Sequence, residues 1–395
     1  RRLTASDAWE CKPTWSPDGR WIAYVTWDMD GGHVWKTRAD GSGQPQRLTT
    51  DDAFYTDLAF SPDGERIVGL RGNAFLRQQT FSEFGGLRIP LDLVWLDADG
   101  GEVRMVSPAR GLGAPHFGTD PDRIYVYSRD GLISLRYDGT DRRTHLKVTG
   151  PSTGGPNPPP AQTVLMRPDG QWALAAVNNQ LHVVAVPPVG GDGATVGVRG
   201  SAGVPTQQIT DIGADYFGWA DGGATIHWAI GSTWYQRPFD SLEFGRTGPA
   251  DPDDDEEDDD AEEDADEGDD DPLDLDESVE AVRIDLDFPR ATPRGTVAIT
   301  NATLITMNGD EVVSRGDIVV TDNRITALGP SGQVDIPAGA EVFDATGRYV
   351  VPGFIDTHAH WEFRTHDVLE PQNWSLVANL AYGVTAGLDV QTATN

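Results

Sequence analysis

Two histidines separated by one residue are the side chains in this sequence whose types and spacing best suit metal chemistry. His358 and His360 lie at the end of the apolar run 350–355, which is short and rich in branched residues. Such a run is typical of a buried parallel strand. Because residues i and i+2 of a strand point to the same side, both imidazoles are predicted to face one cavity and bind a divalent metal.

Two ligands do not complete a catalytic zinc site, which typically takes three protein ligands and a water molecule. After His360 the sequence offers His366 and four carboxylates, none of them at a second metal-binding spacing: Glu362, Asp367, Glu370 and Asp389. We therefore expect the remaining ligands beyond Asn395. The catalytic residues are accordingly unassigned, and the 395-residue chain alone is predicted to be inactive.

For three residues near the histidine pair, a role at the metal site competes with a purely structural role. His366 stands in a polar loop and is predicted to take no part in metal or substrate binding. Asp356 is predicted to bond the backbone near the site. Asp389 ends the next strand, where it either orients a ligand histidine or serves only the fold, and the sequence leaves both readings open.

The elements that must position the histidine pair are predicted from residue 295 onward. Short strands with tight turns are predicted to form a small antiparallel sheet, at 297–307, 317–321, 324–328 and 341–343. A helix at about 370–382, closed by Gly383, separates the histidine strand from another strand at 384–390. Strand, helix and strand form a βαβ unit, whose long first loop leaves space where barrel enzymes place active sites.

The first half of the chain repeats a strand, a Pro-Asp-Gly turn and a second strand. The stretch Trp15–Val25 recurs as Phe60–Leu70, with weaker copies at 117–126, 166–175 and 219–228. In the turn, proline fixes φ, aspartate bonds the backbone and glycine accepts a positive φ. A period of roughly 45 residues with four short strands per unit is typical of a β-propeller.

The repeats resemble the TolB-type propeller family, through Trp15–Gly19 and Phe60–Gly64 above all. The resemblance covers about residues 1–240 and implies six or seven blades, of which five are visible. Residues 2–4 match Arg47-Leu48-Thr49, which closes a blade, so the chain is expected to begin within a propeller.

Residues 295–395 resemble metal-dependent amidohydrolases of the imidazolonepropionase-like branch. The resemblance is carried by five motifs, at 316–320, 323–325, 344–348, 352–360 and 383–389. It implies a small β-sandwich followed by a (β/α)8 barrel, with His358 and His360 as ligands of a divalent metal such as zinc. It also implies further ligands and a catalytic aspartate from later strands, and a secreted or periplasmic location.

The predicted fold class is therefore mainly β, in four parts. They are incomplete β-propeller blades at 1–248, an acidic disordered insertion at 249–280, part of an amidohydrolase β-sandwich at 281–350, and the start of a metal-binding (β/α)8 barrel at 351–395.

Composition excludes several classes of function. Residues 251–280 hold 21 acidic residues, and without them the formal charge of −33 falls to −12, which is still acidic and argues against nucleic-acid binding. No apolar run approaches the ~20 residues that span a bilayer. The single cysteine, Cys11, excludes an internal disulfide.

The leading interpretation is a metal-dependent amidohydrolase that cleaves a C–N bond in an amide, cyclic amide or peptide-like substrate. The propeller would then restrict substrate access or bind a protein partner. The alternative is a propeller-based interaction protein with a vestigial hydrolase domain. A serine peptidase with a propeller cap is disfavoured because the sequence has no Gly-x-Ser-x-Gly.

Overall fold

A computed structural model describes most of the chain, in two compact units. The described residues are 3–6, 8–28, 30–79, 89–151, 158–189, 193–198, 203–244, 277–285, 292–359, 364–365, 368–369 and 374–389. The first unit runs to Ile284 and includes a short hairpin at 364–369. The second unit begins at Asp285 and includes the last helix and strand. No helix in these ranges is long and apolar enough to cross a membrane.

The first unit consists chiefly of five sheets whose strands run antiparallel in the order of the chain, apart from one parallel strand added to the third sheet. The first two sheets are β1 (Trp9–Trp15), β2 (Trp21–Asp28), β3 (Gly31–Arg38) and β4 (Gln46–Arg47), then β5 (Phe54–Phe60), β6 (Arg66–Gly72), β7 (Leu91–Asp97) and β8 (Arg104–Pro108). A short helix, α1 (Ala74–Gln79), stands between β6 and β7.

The third, fourth and fifth sheets repeat this meander. The third sheet contains β9 (Gly113–Phe117), β10 (Ile124–Ser128), β11 (Gly131–Leu135) and β12 (Arg143–Thr149), the fourth contains β13 (Thr163–Met166), β14 (Trp172–Val177), β15 (Gln180–Ala185) and β17 (Thr206–Gln208), and the fifth contains β18 (Asp215–Ala220), β19 (Thr225–Ile230), β20 (Thr233–Pro238) and β21 (Glu280–Arg283). A further strand, β16 (Ala194–Gly197), lies between β15 and β17 in sequence and belongs to the third sheet. Two single-turn 3₁₀ helices, Asp221–Gly223 and Phe239–Ser241, lie in the fifth sheet's connections.

The apolar cores of the first unit lie between neighbouring sheets. Four clusters of buried side chains among the described residues each draw on two consecutive sheets. Strand β14 shows why: Ala173 and Ala175 join the cluster shared with the third sheet, whereas Leu174 joins the one shared with the fifth. Because side chains alternate along a strand, a middle strand that is apolar on both faces packs against both neighbours. This is the packing of propeller blades.

The Pro-Asp-Gly turns have the geometry that the sequence predicts. Asp18 accepts the N–H of Arg20 at 3.0 Å through Oδ1, and Gly19 adopts φ +68°. A hydrogen bond from the Ser16 hydroxyl, 2.6 Å long, is the main cause that lowers the pKa of Asp18 to about 2. The aspartates of these turns therefore serve the fold.

The repeated Leu/Ile-Thr pairs close their blades through the same type of hydrogen bond. The Thr49 hydroxyl accepts the N–H of Val34 at 3.1 Å, and the Thr210 hydroxyl accepts the N–H of Leu181 at 2.9 Å. Both threonines are buried, so the hydroxyl satisfies a strand N–H that water does not reach.

One strand leaves the simple meander, and another joins its blade from far along the chain. Strand β16 pairs in parallel with β12, so a segment between β15 and β17 extends the third sheet rather than the fourth. Strand β21 pairs with β20, on the far side of the acidic run in sequence. That run, 249–276, lies outside the described residues. The domain boundaries stay predictions, although β21 straddles the one predicted at 280/281.

The second unit contains one mixed five-stranded sheet in its described part. Its strands are β22 (Thr296–Ile305), β23 (Val312–Thr321), β24 (Arg324–Pro330), β25 (Glu341–Asp344) and β26 (Tyr349–Val350). The prediction of an antiparallel sheet was wrong for β25, which pairs in parallel with β22, and β26 also joins β22 in parallel. After β24 the chain returns to the end at which β22 begins, so β25 and β26 run in the same direction as β22. One sheet is described here, and the second layer of a sandwich stays a prediction.

A separate βαβ unit follows, as predicted. Strands β27 (Phe354–Ala359) and β30 (Val384–Asp389) are parallel neighbours, with α2 (Trp374–Ala381) between them in sequence. Two-residue strands β28 (Arg364–Thr365) and β29 (Val368–Leu369) form the hairpin in the connection. Gly383 ends the helix at φ +85°, and its N–H donates to the carbonyl of Leu380 at 2.9 Å. Within the described residues this parallel pair is all that is seen of the predicted barrel.

Candidate functional site

His358 is the one described member of the predicted metal pair. It is the fifth residue of β27 and its side chain is exposed. The Asp356 carboxylate accepts the backbone N–H of His358 at 3.0 Å, which confirms the predicted backbone role of Asp356. His360 and His366 lie outside the described residues, so the pairing of the two imidazoles stays a prediction.

The carboxyl ends of β27 and β30 lie side by side. Ala359, the residue after His358, is the register partner of Asp389. The backbone of Asp389 therefore lies beside that of Ala359. Both interpretations of Asp389 stay open: it either orients a ligand histidine or serves only the fold. The register shifts twice along the pair, between Phe354 and Ile355 and between Asp356 and Ala359.

Close packing of the Gly353 backbone against the side chain of Thr385 fixes the start of the histidine strand. A methyl group on Gly353 would lie 2.1 Å from Oγ1 of Thr385, so glycine is required there. The N–H of Phe354 donates to the carbonyl of Gly383 at 2.8 Å, which anchors β27 beside the end of the helix connection. The Pro-Gly and Gly-Val-Thr motifs of the sequence thus act together, by bringing β27 and β30 into contact.

The donor chemistry of the His-x-His segment fits zinc, but the described residues supply only one donor. Imidazole nitrogen is a common zinc ligand, and a catalytic site takes three protein ligands. No group of three or more histidine, cysteine, aspartate or glutamate side chains that could hold a metal occurs within the described ranges. A complete site therefore needs His360 and ligands from outside those ranges.

Both strands of the parallel pair carry apolar side chains that the described residues leave uncovered. Phe354 is 61 % exposed, Ile355 68 % and Leu388 62 %. Parallel sheets are normally covered on both faces, because their strands are apolar throughout.

The first unit contains a cavity that the sequence analysis missed. It has a volume of about 640 Å³ and is lined by residues from β1, β5, β9, β13 and β18, the first strands of the five blades. A Lys12–Asp57 ion pair lies on its wall. The available signal was positional: Lys12, Asp57 and Ala114 each stand three residues before the aromatic residue that ends their strand, and Tyr216 stands three residues before Trp219.

Comparison with curated proteins finds short matches to amidohydrolases. A 76-residue segment, 18 % of the chain, is 37 % identical to adenine deaminase from Rubrobacter xylanophilus and covers 12 % of that protein. A 70-residue segment, 17 % of the chain, is 41 % identical to imidazolonepropionase from Saccharopolyspora erythraea and covers 18 % of it. Dihydropyrimidinase 2 from Caenorhabditis briggsae is 37 % identical over 67 residues, 17 % of the chain and 12 % of the relative. The chain thus spans less than a fifth of each relative's length, and no family model matches it.

Comparison with solved structures finds propeller proteins at low similarity. TolB from Acinetobacter baumannii aligns with 60 % of this chain and 54 % of its own, at 11 % identity and a TM-score of 0.39. Oligogalacturonate lyase from Vibrio parahaemolyticus aligns with 60 % of this chain and 64 % of its own, at 11 % identity and a TM-score of 0.38. At these scores the propeller assignment rests on the blades and their packing described above. The chain therefore contains β-propeller blades and, further along the sequence, a short segment that resembles amidohydrolases.

Proposed function

We propose that the protein is a metal-dependent amidohydrolase that cleaves a C–N bond in an amide, cyclic amide or peptide-like substrate. The observation that carries the proposal is the parallel β27–α2–β30 unit with His358 near the carboxyl end of its first strand. Active sites of (β/α)8 barrels lie at that end of the strands. The short matches to amidohydrolases support the same reading.

In this proposal His358 and His360 hold a divalent metal, most simply zinc. When bound there, such a metal lowers the pKa of its water and polarises the scissile carbonyl. Asp356 fixes the backbone of His358 through its carboxylate, so the imidazole is presented from a defined position. The general base and the remaining ligands are proposed to come from residues outside the described ranges.

The propeller is proposed to restrict substrate access or to bind a protein partner. A secreted or periplasmic location also stays a prediction, drawn from family resemblance. If the metal test below fails, the propeller-based interaction protein becomes the better interpretation.

Zinc binding by the 395-residue chain tests the proposed ligands. Competition against a chromophoric chelator is measured for the wild type and for His358→Ala/His360→Ala, with His33→Gln as a matched histidine control. His33 lies in β3 of the first blade and has a hydroxyl partner, Thr49, at 3.2 Å. We expect the double variant to lose zinc affinity by about tenfold or more and the control to match the wild type.

The acidic run gives the competing explanation for any zinc uptake. Carboxylate binding in residues 251–271 would not respond to the histidine changes. Equal zinc affinity in all three proteins would therefore contradict the proposed ligands. The reaction class is tested on the intact gene product with a panel of amides and cyclic amides, where turnover must be lost with the histidine pair.

A further inference from the structure

The cavity of the propeller is built by strained backbone. Lys12, Asp57, Ala114 and Tyr216 have φ values of 51°, 52°, 48° and 46°, in the left-handed region that favours glycine. All four line the cavity. A non-glycine residue in this conformation is strained. Four such residues on one cavity are costly for the fold, and strain of this kind tends to persist where it serves a site.

Each strained residue belongs to a β-bulge in the first strand of its blade. The pairing register shifts between Cys11 and Thr14 in β1, and between Thr56 and Ala59 in β5. Equivalent shifts interrupt β9 against β10 and β18 against β19. A bulge re-aims side chains that a regular strand would direct into the packing between sheets. In β13, which has no strained residue, the pairing is regular.

The bulges bring opposite charges together on the cavity wall. The ammonium of Lys12 lies 3.5 Å from Oδ1 of Asp57, and the two side chains are 26 % and 32 % exposed. Arg129 is the third charged residue of the lining, so the wall carries two cations and one anion. In a chain with a formal charge of −33, this cavity is a place of net positive charge.

The remaining wall is partly apolar. Leu58, Pro115 and Phe217 are the residues that follow three of the strained positions, and each lines the cavity. The volume of about 640 Å³ falls within the range of pockets for small organic ligands, roughly 300–1,000 Å³. An apolar wall beside a cation favours an organic anion over a bare inorganic one.

We propose that this cavity binds a small organic carboxylate with an adjoining apolar group. Its carboxylate pairs with Lys12 in competition with Asp57, and its apolar part lies against the wall that includes Phe217. The Lys12–Asp57 pair then limits the affinity for the ligand, because Asp57 competes with the ligand's carboxylate for the ammonium of Lys12. This site lies wholly within the first unit and does not depend on the proposed metal site.

The test uses hippurate, an aromatic amide with a free carboxylate, as the probe for the 395-residue chain. Its neutral analogue hippuramide and inorganic phosphate are the comparison ligands, and binding is measured by titration calorimetry at low and high salt. We expect hippurate to bind, hippuramide to bind about tenfold more weakly or not at all, and added salt to weaken hippurate.

Two variants are expected to change the affinity in opposite directions. Lys12→Met should weaken hippurate binding by about tenfold, whereas Asp57→Asn should tighten it severalfold by removing the competing carboxylate. Lys147→Met, in β12 and outside the cavity lining, is the matched control and should leave binding unchanged.

Several results would overturn the proposal. Equal binding of hippurate and hippuramide would show that the carboxylate is not recognised. Binding of phosphate without hippurate would assign the cavity to a bare anion. Weakening by both Lys12→Met and Asp57→Asn would mean that the ion pair serves only the fold. If either variant fails to fold, the ligand comparison and the salt dependence still decide.

Discussion

His116 is expected to make the propeller sensitive to acid. Its Nε2 accepts the N–H of Met166 at 2.8 Å, and its Nδ1 lies 2.8 Å from the carbonyl oxygen of Ala114. The ring is therefore neutral, with its proton on Nδ1, and it joins β9 of the third blade to β13 of the fourth. Burial lowers the pKa of His116 to about 4, against a smaller upward effect of the Ala114 carbonyl.

The sign of the pH effect follows from the neutral folded form. Above pH 6.5 the His116 ring holds no second proton in either state. As the pH falls from 6.5 to about 4, the unfolded chain binds a proton that the folded chain does not, so the free energy of unfolding decreases. The full interval corresponds to about 3 kcal/mol. Because His116 as a whole is only partly buried, we expect about 1–2 kcal/mol after solvent screening.

The change that isolates this contribution is His116→Gln. A glutamine oxygen can accept the same N–H of Met166, yet glutamine does not titrate. Urea unfolding is followed by tryptophan fluorescence at pH 8 and pH 5, at constant ionic strength, for wild type and variant. We expect the wild type to lose about 1–2 kcal/mol more than the variant between the two pH values.

Other buried histidines provide a common background to this comparison. Burial also lowers the pKa of His33, His145 and His227, and these groups are unchanged in the variant. His33→Gln is the matched control and should keep the acid loss due to His116. The reasoning is refuted if wild type and His116→Gln lose the same stability between pH 8 and pH 5.

Three further substitutions test the packing on which the account depends. Tyr127→Phe removes a buried hydroxyl that donates to the Ala161 carbonyl at 2.6 Å, and should lower the free energy of unfolding by about 1 kcal/mol in urea. Gly353→Ala places a methyl group 2.1 Å from Thr385, and should destabilise the second unit by about 1–3 kcal/mol, seen as faster amide exchange in β27 and β30. Asp317→Ala leaves two backbone N–H groups without their carboxylate acceptor, and should lower the melting temperature of the second unit, while the exposed change Asp335→Ala should cost less. An unchanged free energy of unfolding for Tyr127→Phe, an unchanged exchange rate for Gly353→Ala or an unchanged melting temperature for Asp317→Ala would contradict the corresponding contact.

Local signals in the sequence were sufficient for the turns and for the βαβ unit. Asp18 and Gly19 act within a few residues of the chain, so their types determine the turn whatever surrounds it. The helix before Gly383 and the strand after it are likewise set by neighbours in sequence. His358 was singled out in the same way, from the period of a strand, and the pairing of its imidazole with that of His360 stays a prediction.

Pairings between distant segments were beyond such signals. Nothing local indicates that β16 joins the third sheet or that β21 pairs with β20 across the acidic run. The parallel entry of β25 and β26 depends on where the chain returns along β22. The cavity was missed for a different reason: Lys12 and Tyr216 are residue types that normally avoid the left-handed region, so nothing but their spacing before Trp15 and Trp219 marks the bulges.

The central claim is that His358 and His360 bind zinc, and X-ray absorption at the zinc edge of the loaded chain tests it most directly. The account predicts imidazole scattering around the zinc in the wild type and its loss in His358→Ala/His360→Ala. An oxygen-only shell in the wild type, unchanged in the variant, would contradict it and assign the bound zinc to carboxylates.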